Sequence, residues 1–287
     1  MKLVTYLYRG CTSIGKVVDD EIVDLPASDA SLPRTMLELL AMGPQALSRA
    51  RRLEAAGSVT VPLSSATLLA PISNPDKFLA IGMNYSKHVE EAKAAGLTIP
   101  NVQVWFNKQV SCINDPYGAV HMPKVSDMLD YEVELAVVIG RRCRNVSAAD
   151  ARSIIAGYMV CNDVTVRDWQ LRSPTMTIGK SFDTTGPIGP WIVTDDEVAD
   201  PHALNMRLFV NGEERQNEST GGMVYDIFQQ IEHLSTAMTL EPGDIIATGT
   251  PSGVGAAMKP PRFLKVGDVV RAQIDGIGTI ENTVIAA

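Results

Sequence analysis

Apolar residues recur along this chain with two periods. From residue 77 onward the commoner pattern is a short continuous or alternating apolar run bounded by Gly, Pro, Asn or Asp, which predicts strands. Such runs fall at 77–82, 104–106, 134–139, 158–162, 190–193, 205–210, 244–248, 269–274 and 278–284. Asn211-Gly212 follows one of them and predicts a hairpin turn, since both residue types tolerate positive φ. The first 26 residues read as short strands and turns punctuated by Gly10 and Gly15. Helical spacing is rarer. It occurs at 36–40 and 46–50, with a break near Gly43-Pro44. Val224, Ile227, Phe228, Ile231, Leu234 and Met238 form an apolar stripe that predicts a helix packed on the core. Ser147 with Asp150 predicts the capped start of another helix, ending near Gly157. A Pro- and Ser-rich stretch around 62–75 sets a boundary near residue 70, between a small N-terminal α+β domain (1–70) and a main domain (71–287). Many strands with few crossover helices predict a β-rich α+β architecture.

Length and composition agree with this picture. At 287 residues the chain is near the size where a single core stops growing. Its 45% apolar and 20% charged content is that of a globular protein. A formal net charge of -8 argues against nucleic acid as partner, which needs a basic surface. It leaves room for a small anionic substrate steered by local cations. Cys11, Cys112, Cys143 and Cys161 form no CxxC pair, so free thiols in a reducing compartment are expected. The N-terminal run is interrupted too early for a signal segment, and no apolar stretch reaches the ~18 residues of a membrane span. A cytoplasmic protein without membrane contact is the expectation.

Chemistry first suggests itself at Asp130-Tyr131-Glu132-Val133-Glu134-Leu135. Strand side chains alternate, so Glu132 and Glu134 point to one face. Two carboxylates leaving water together require that one stays protonated or that a cation sits between them. Asp163 offers a third oxygen, and three such oxygens suit a hard divalent ion such as Mg2+. The other reading places both glutamates on a solvent-facing edge strand. His88 and Glu91 are three residues apart, so on a helix a carboxylate would orient an imidazole, as in a general base. Alternatively they belong to an ordinary solvated face. Arg167 and Gln170 follow Asp163 by four and seven residues and would share its face if the segment were helical. That set could hold a substrate carboxylate, or be a surface ion pair. Gly179-Lys180-Ser181 is not a phosphate loop, because Pro174 stands where the first glycine belongs. The run from Gly249 to Gly255 reads as a tight turn whose backbone and Thr250 reach a ligand. His121, His202 and His233 have no convincing acid or nucleophile partner and read as structural or surface residues.

In order along the chain, five segments carry a resemblance. They are Gly82-Met83-Asn84-Tyr85 with His88 and Glu91; Asp130 to Leu135; Asn162 to Asp168; Gly179-Lys180-Ser181-Phe182-Asp183; and Pro242-Gly243-Asp244 leading to Thr248–Gly253. Together they resemble the fumarylacetoacetate hydrolase family from about Lys77 to the end, in particular its acylpyruvase and 2-hydroxyhepta-2,4-diene-1,7-dioate isomerase members. The resemblance implies a mixed β-sandwich roll and a homodimer. It implies Mg2+ or Mn2+, with Ca2+ also compatible, held by Glu132, Glu134 and Asp163. It makes His88 and Glu91 a water-activating pair on a short lid, gives Lys180 a catalytic role, and puts Arg167, Gln170 and Thr250 against substrate oxygens. Lys87 departs from the acid that many members carry before the histidine. The activity so implied is metal-dependent hydrolysis of a carbon-carbon bond in a 2,4-dioxo acid of catabolism, leaving a pyruvate-type enolate. Within the same fold the alternatives are decarboxylation of an oxaloacetate-like acid, hydration of an enoate, and keto-enol or dienoate isomerisation.

Overall fold

The computed structural model describes residues 1–94, 96 and 101–287. Two sheets dominate it. The larger has 12 strands, and its centre is built from Gly186–Thr194, Ile155–Asn162, Val133–Ile139, Ile245–Ala247 and Phe78–Gly82 in that spatial order. Val133–Ile139 and Ile155–Asn162 are buried along their whole length, which is why they read as continuous apolar runs. The smaller sheet has five strands, ordered Glu213–Ser219, Asn205–Val210, Val269–Ile274, Gly278–Ala286 and Val120–Met122. Its Asn205–Val210 strand alternates buried and half-buried residues, as a sheet with one covered face requires. The hairpin falls where expected: Asn211 and Gly212 have φ of 52° and 81°, and Val210 pairs with Glu213. The architecture is a β-rich α+β fold, as the sequence pattern predicts.

The parity of Val133–Ile139 divides the core. Leu135 and Val137 pack with Leu208, Ile274, Ile280 and the helix Ile227–Ala237, between the two sheets. Ala136 and Val138 pack on the other face with Leu25, Leu39, Leu40 and Phe106. Glu132 and Glu134 share the parity of Ala136 and Val138. They therefore lie on the face of the large sheet turned away from the small sheet.

The N-terminal strands extend the large sheet, with Lys2 opposite Val193 and Leu3 opposite Ile192. The helices Met36–Ala41 and Pro44–Arg52 are separated by Gly43, whose φ is 74°. Thr35 caps the first by accepting a hydrogen bond from the Glu38 amide. In Ile227–Ala237, Asp226 and Gln229 form a reciprocal capping box, while Val224 lies outside the helix and is exposed.

Two expectations fail. No α-helix spans 147–157: a single 3-10 turn, Ala151–Ile154, leads straight into the strand Ile155–Asn162. Ser147 does donate to Asp150 (2.7 Å), but as a local side-chain pair, and the β-branched and apolar run that follows is taken by the sheet. Nor do Asp163, Arg167 and Gln170 share a helix. Asp163 follows the strand Ile155–Asn162, Thr165–Val166 pairs with Leu129–Asp130, and only Arg167–Gln170 is helical. All four cysteines are free, and among the described residues no helix is long and apolar enough to cross a membrane.

Candidate active site

Three carboxylates meet at the mouth of the central strands. The Glu132 amide donates to Asn162 Oδ1 (3.0 Å) and the Asp163 amide to the Glu132 carbonyl (2.9 Å), pinning the start of one strand to the end of its neighbour. One oxygen each from Glu132, Glu134 and Asp163 then lie within 4.8 Å of one another, and the residues are only 4%, 1% and 0% exposed. The solvent-facing alternative for the glutamates is thereby excluded.

Such crowding must be neutralised, and two lysines contribute most. Lys180 Nζ stands 2.6 Å from both Glu132 Oε2 and Asp163 Oδ2. Lys108 Nζ donates to Asp163 Oδ1 (2.8 Å) and to the carbonyls of Lys180 and Thr185. Arg167 completes the set. Its Nε donates to Asp130 Oδ2 (2.8 Å), its Nη1 to Gln170 Oε1 (3.1 Å), and its Nη2 lies 2.7 Å from Glu132 Oε1 as a charge contact without hydrogen-bond alignment. Four buried carboxylates, Asp130, Glu132, Glu134 and Asp163, thus face three buried cations, Lys108, Arg167 and Lys180.

Glu134 is the carboxylate left over. Among the described residues it forms no ion pair, and its Oε2 accepts only the Gly249 amide at 2.8 Å. Burial, then Asp163 and Glu132, push its carboxyl well above the ordinary range. Burial also works against the Glu132 charge, but Lys180 and Arg167 outweigh it and hold that carboxyl down to about 2. An all-oxygen donor set with one uncompensated charge fits a hard divalent cation. Such an ion would turn the local excess of negative charge into an excess of positive charge, which suits an anionic substrate.

His88 and Glu91 approach from the helix Ser86–Ala94. His88 Nδ1 lies 2.9 Å from Glu91 Oε2, so with Nδ1 donating the free lone pair is on Nε2. The other Glu91 oxygen accepts the Gly253 amide at 3.2 Å. Lys87, the departure noted in the sequence, turns away and pairs with Glu218 at 2.7 Å. Thr250 Oγ1 donates to the Val133 carbonyl (2.9 Å) and accepts from Gln216 Nε2 (2.8 Å).

A cavity of about 210 Å3 collects these groups. His88, Glu132, Glu134, Arg167, Gln170, Lys180 and Thr250 are its polar lining, and Ile81, Met83, Val104, Phe106 and Met176 its apolar lining. Glu91 and Asp163 stand behind it, each bonded to a lining residue. The fold therefore brings all nine residues singled out in the sequence together. A larger cavity of about 680 Å3, beside Tyr131, Arg215 and Arg262, contains none of them. Sequence reasoning missed Lys108, Asp130 and Gln216. Asp130 stood in the quoted acidic motif without a role. Lys108 follows a short strand with nothing around it to mark it.

Known proteins resemble this chain over nearly its whole length. The model of the fumarylacetoacetate (FAA) hydrolase C-terminal family matches residues 77–285. The mitochondrial oxaloacetate tautomerase Fahd2a of Rattus norvegicus is 43% identical over 265 residues, 92% of this chain and 84% of that protein. The crystal structure of the maleylpyruvate hydrolase of Sphingobium sp. SYK-6, in complex with manganese (II) ion and pyruvate, is 33% identical with a TM-score of 0.83, covering 100% of both chains. The fumarylacetoacetate hydrolase of Exiguobacterium antarcticum is 35% identical with a TM-score of 0.88, again over 100% of both. This chain belongs to the fumarylacetoacetate hydrolase family.

Proposed function

We propose that this protein is a divalent-metal-dependent keto-enol tautomerase of a small 2-oxo dicarboxylate, with oxaloacetate the first substrate to try. The observation that carries the reading is the position of a carboxylate-held imidazole over the same small cavity as the three metal-type carboxylates and Lys180. It is supported by the 43% identity, over 92% of the chain, to an oxaloacetate tautomerase. The cavity, at about 210 Å3, falls below the ~300–1,000 Å3 of pockets for drug-sized ligands, which favours a four-carbon acid over a long acyl chain.

An ion held by Glu132, Glu134 and Asp163 would act as a Lewis acid toward the 2-oxo acid end of the substrate. The chain's own residues do the rest. Arg167 and Gln170 present a guanidinium and an amide to a carboxylate. Lys180 sets an ammonium beside the oxygen on which charge develops. In the enol-to-keto direction, His88 Nε2 takes the enol hydroxyl proton and the resulting imidazolium gives a proton to carbon 3, which restores the neutral ring; the keto-to-enol direction runs these two transfers backwards. Glu91 holds the ring with that nitrogen free. Val104, Phe106 and Met176 are the apolar part of the lining and limit water beside the charged groups, which strengthens each charge contact. No water is consumed and no carbon-carbon bond breaks.

Carbon-carbon hydrolysis of a 2,4-dioxo acid, the activity first implied by the sequence, remains the second reading. It is favoured by the likeness to the maleylpyruvate hydrolase and by the ability of the same pair to activate water. One experiment separates them. Purified protein with Mg2+ or Mn2+ is given enol-oxaloacetate and, separately, an acylpyruvate. Faster enol decay without pyruvate release supports tautomerisation. Pyruvate plus a second acid from the acylpyruvate alone would replace it with hydrolysis, and pyruvate plus carbon dioxide from oxaloacetate with decarboxylation. The homodimer that the resemblance implies is tested by sedimentation.

A further inference from the structure

Among the described residues, Arg167 is the one lining side chain that Asp130 bonds, yet its two oxygens accept four hydrogen bonds. Oδ1 takes the amides of Tyr131 (2.9 Å) and Gly255 (2.8 Å), and Oδ2 takes the Ala256 amide (2.9 Å) and Arg167 Nε (2.8 Å). The carboxylate is fully buried. Two amides of one turn and the substrate-facing guanidinium therefore hang on a single side chain. The same turn reaches the proton-moving pair, because the Gly253 amide donates to Glu91 Oε1 at 3.2 Å. Its earlier part reaches the metal-type carboxylates, because the Gly249 amide donates to Glu134.

The turn has little freedom to do anything else. Gly253 has φ of 102°, and a side chain there would overlap the Arg215 carbonyl. A Cβ on Gly255 would overlap the Arg262 carbonyl and lie 2.7 Å from Asp130 Oδ1. Tyr131, next to Asp130, donates its hydroxyl to the Gly253 carbonyl at 3.2 Å.

We infer that Asp130 is a positioning residue that couples the Arg167 substrate arm to the His88–Glu91 pair through the 253–256 turn. It rests on the proton-transfer reading of the site for its kinetic consequences only. With the Asp130 side chain bonded as it is, the turn offers the Gly253 amide to Glu91 and Arg167 lines the cavity. Without it, both ends loosen together: the carboxylate of the substrate is held less well, and the imidazole loses its fixed orientation.

The test is a double-mutant cycle of Asp130→Asn and Glu91→Gln, read by kinetics and by amide hydrogen exchange of the metal-loaded protein. Asp130→Asn is expected to lower kcat about 10- to 100-fold, the range for losing charge-assisted hydrogen bonds, and to raise KM as well. A role confined to stability would reduce the folded fraction and leave KM unchanged. The double variant is expected to be no worse than the weaker single variant within about threefold, because the side chains act on one turn. Exchange is expected to quicken both at 253–256 and in the helix Ser86–Ala94. Multiplicative kinetic losses, or quickening confined to 255–256, would overturn the coupling. If Asp130→Asn does not fold, Glu91→Ala carries the test from the other end: the Gly255 and Ala256 amides must then exchange faster. Wild-type protein inactive on oxaloacetate would count against the tautomerase reading alone, since the exchange arm needs no substrate.

Discussion

Replacing Glu134 by Gln keeps its volume and removes its charge, and the consequence can be worked out from the buried charges around it. Asp130 is paired with Arg167, Glu132 with Lys180 and Arg167, and Asp163 with Lys180 and Lys108. Glu134 has only the Gly249 amide. Four buried carboxylates against three cations leave one charge uncompensated, so without metal one proton restores neutrality, and it belongs on Glu134. Its carboxyl is raised, first by burial and then by Asp163 and Glu132. Between the ordinary carboxyl value and that raised value, a divalent ion must displace the proton. Binding then releases about one proton per ion, and apparent affinity improves about tenfold, or about 1.4 kcal/mol, for each pH unit gained. The dependence flattens once pH passes the raised value. The assay is calorimetric titration of metal-free protein with Mn2+ in two buffers of different protonation enthalpy, at several pH values from about 5 upward. Wild type should show the buffer-dependent enthalpy, and Glu134→Gln should bind more weakly and lose it. Equal proton release in both proteins, or a pH-independent affinity in wild type, would refute the argument and mean that Glu134 is ionised without the ion.

The same charge count predicts how metal changes stability with pH. A raised carboxyl in the folded state means that the folded protein holds more protons than the unfolded one, so metal-free protein loses stability as pH rises from the ordinary value toward the raised one. The Tm gain on adding Mg2+ should therefore grow with pH, and a gain that shrinks would contradict it. Lys108→Met removes a fully buried ammonium and strands the Asp163 Oδ1 and two carbonyls. It should cost about 3–5 kcal/mol in urea unfolding, and a loss below about 1 kcal/mol would show that the lysine is dispensable. Gly253→Ala puts a side chain at φ of 102° against the Arg215 carbonyl and moves the amide that Glu91 uses. A stability loss of at least about 1–3 kcal/mol together with a fall in kcat is expected, and full activity would show that the turn is not needed in this geometry.

Much of this site was written in local spacing. Alternation along a strand put Glu132 and Glu134 on one face, and the i, i+3 relation brought His88 to Glu91 once Ser86–Ala94 formed a helix. Buried strands were legible because residues such as Val137 and Val160 need no polar alternation when both faces are covered. The rest depended on long-range pairing. Arg167 reaches Asp130 and Glu132 by way of the Thr165–Val166 pairing with Leu129–Asp130, which helical counting could not supply. The 147–157 segment carried a cap signal, but pairing of Ile155–Asn162 with both its neighbours outweighed it. Lys108 shows the limit most clearly. Its partners lie 55, 72 and 77 residues away, and nothing local to Asn107-Lys108-Gln109 announces a buried cation.

The most direct test of the account follows the proton itself. Enol-oxaloacetate is mixed with metal-loaded protein in deuterated water, and decay of the enol is measured with deuterium at carbon 3. Wild type should accelerate the decay, incorporate deuterium and release no pyruvate. Chelation of the metal should abolish the acceleration, and His88→Ala should lower kcat about 100-fold or more, the usual worth of a positioned base. Unaccelerated decay with wild type, or an undiminished rate in His88→Ala, would contradict the claim that this cavity is built to move a proton on a 2-oxo acid.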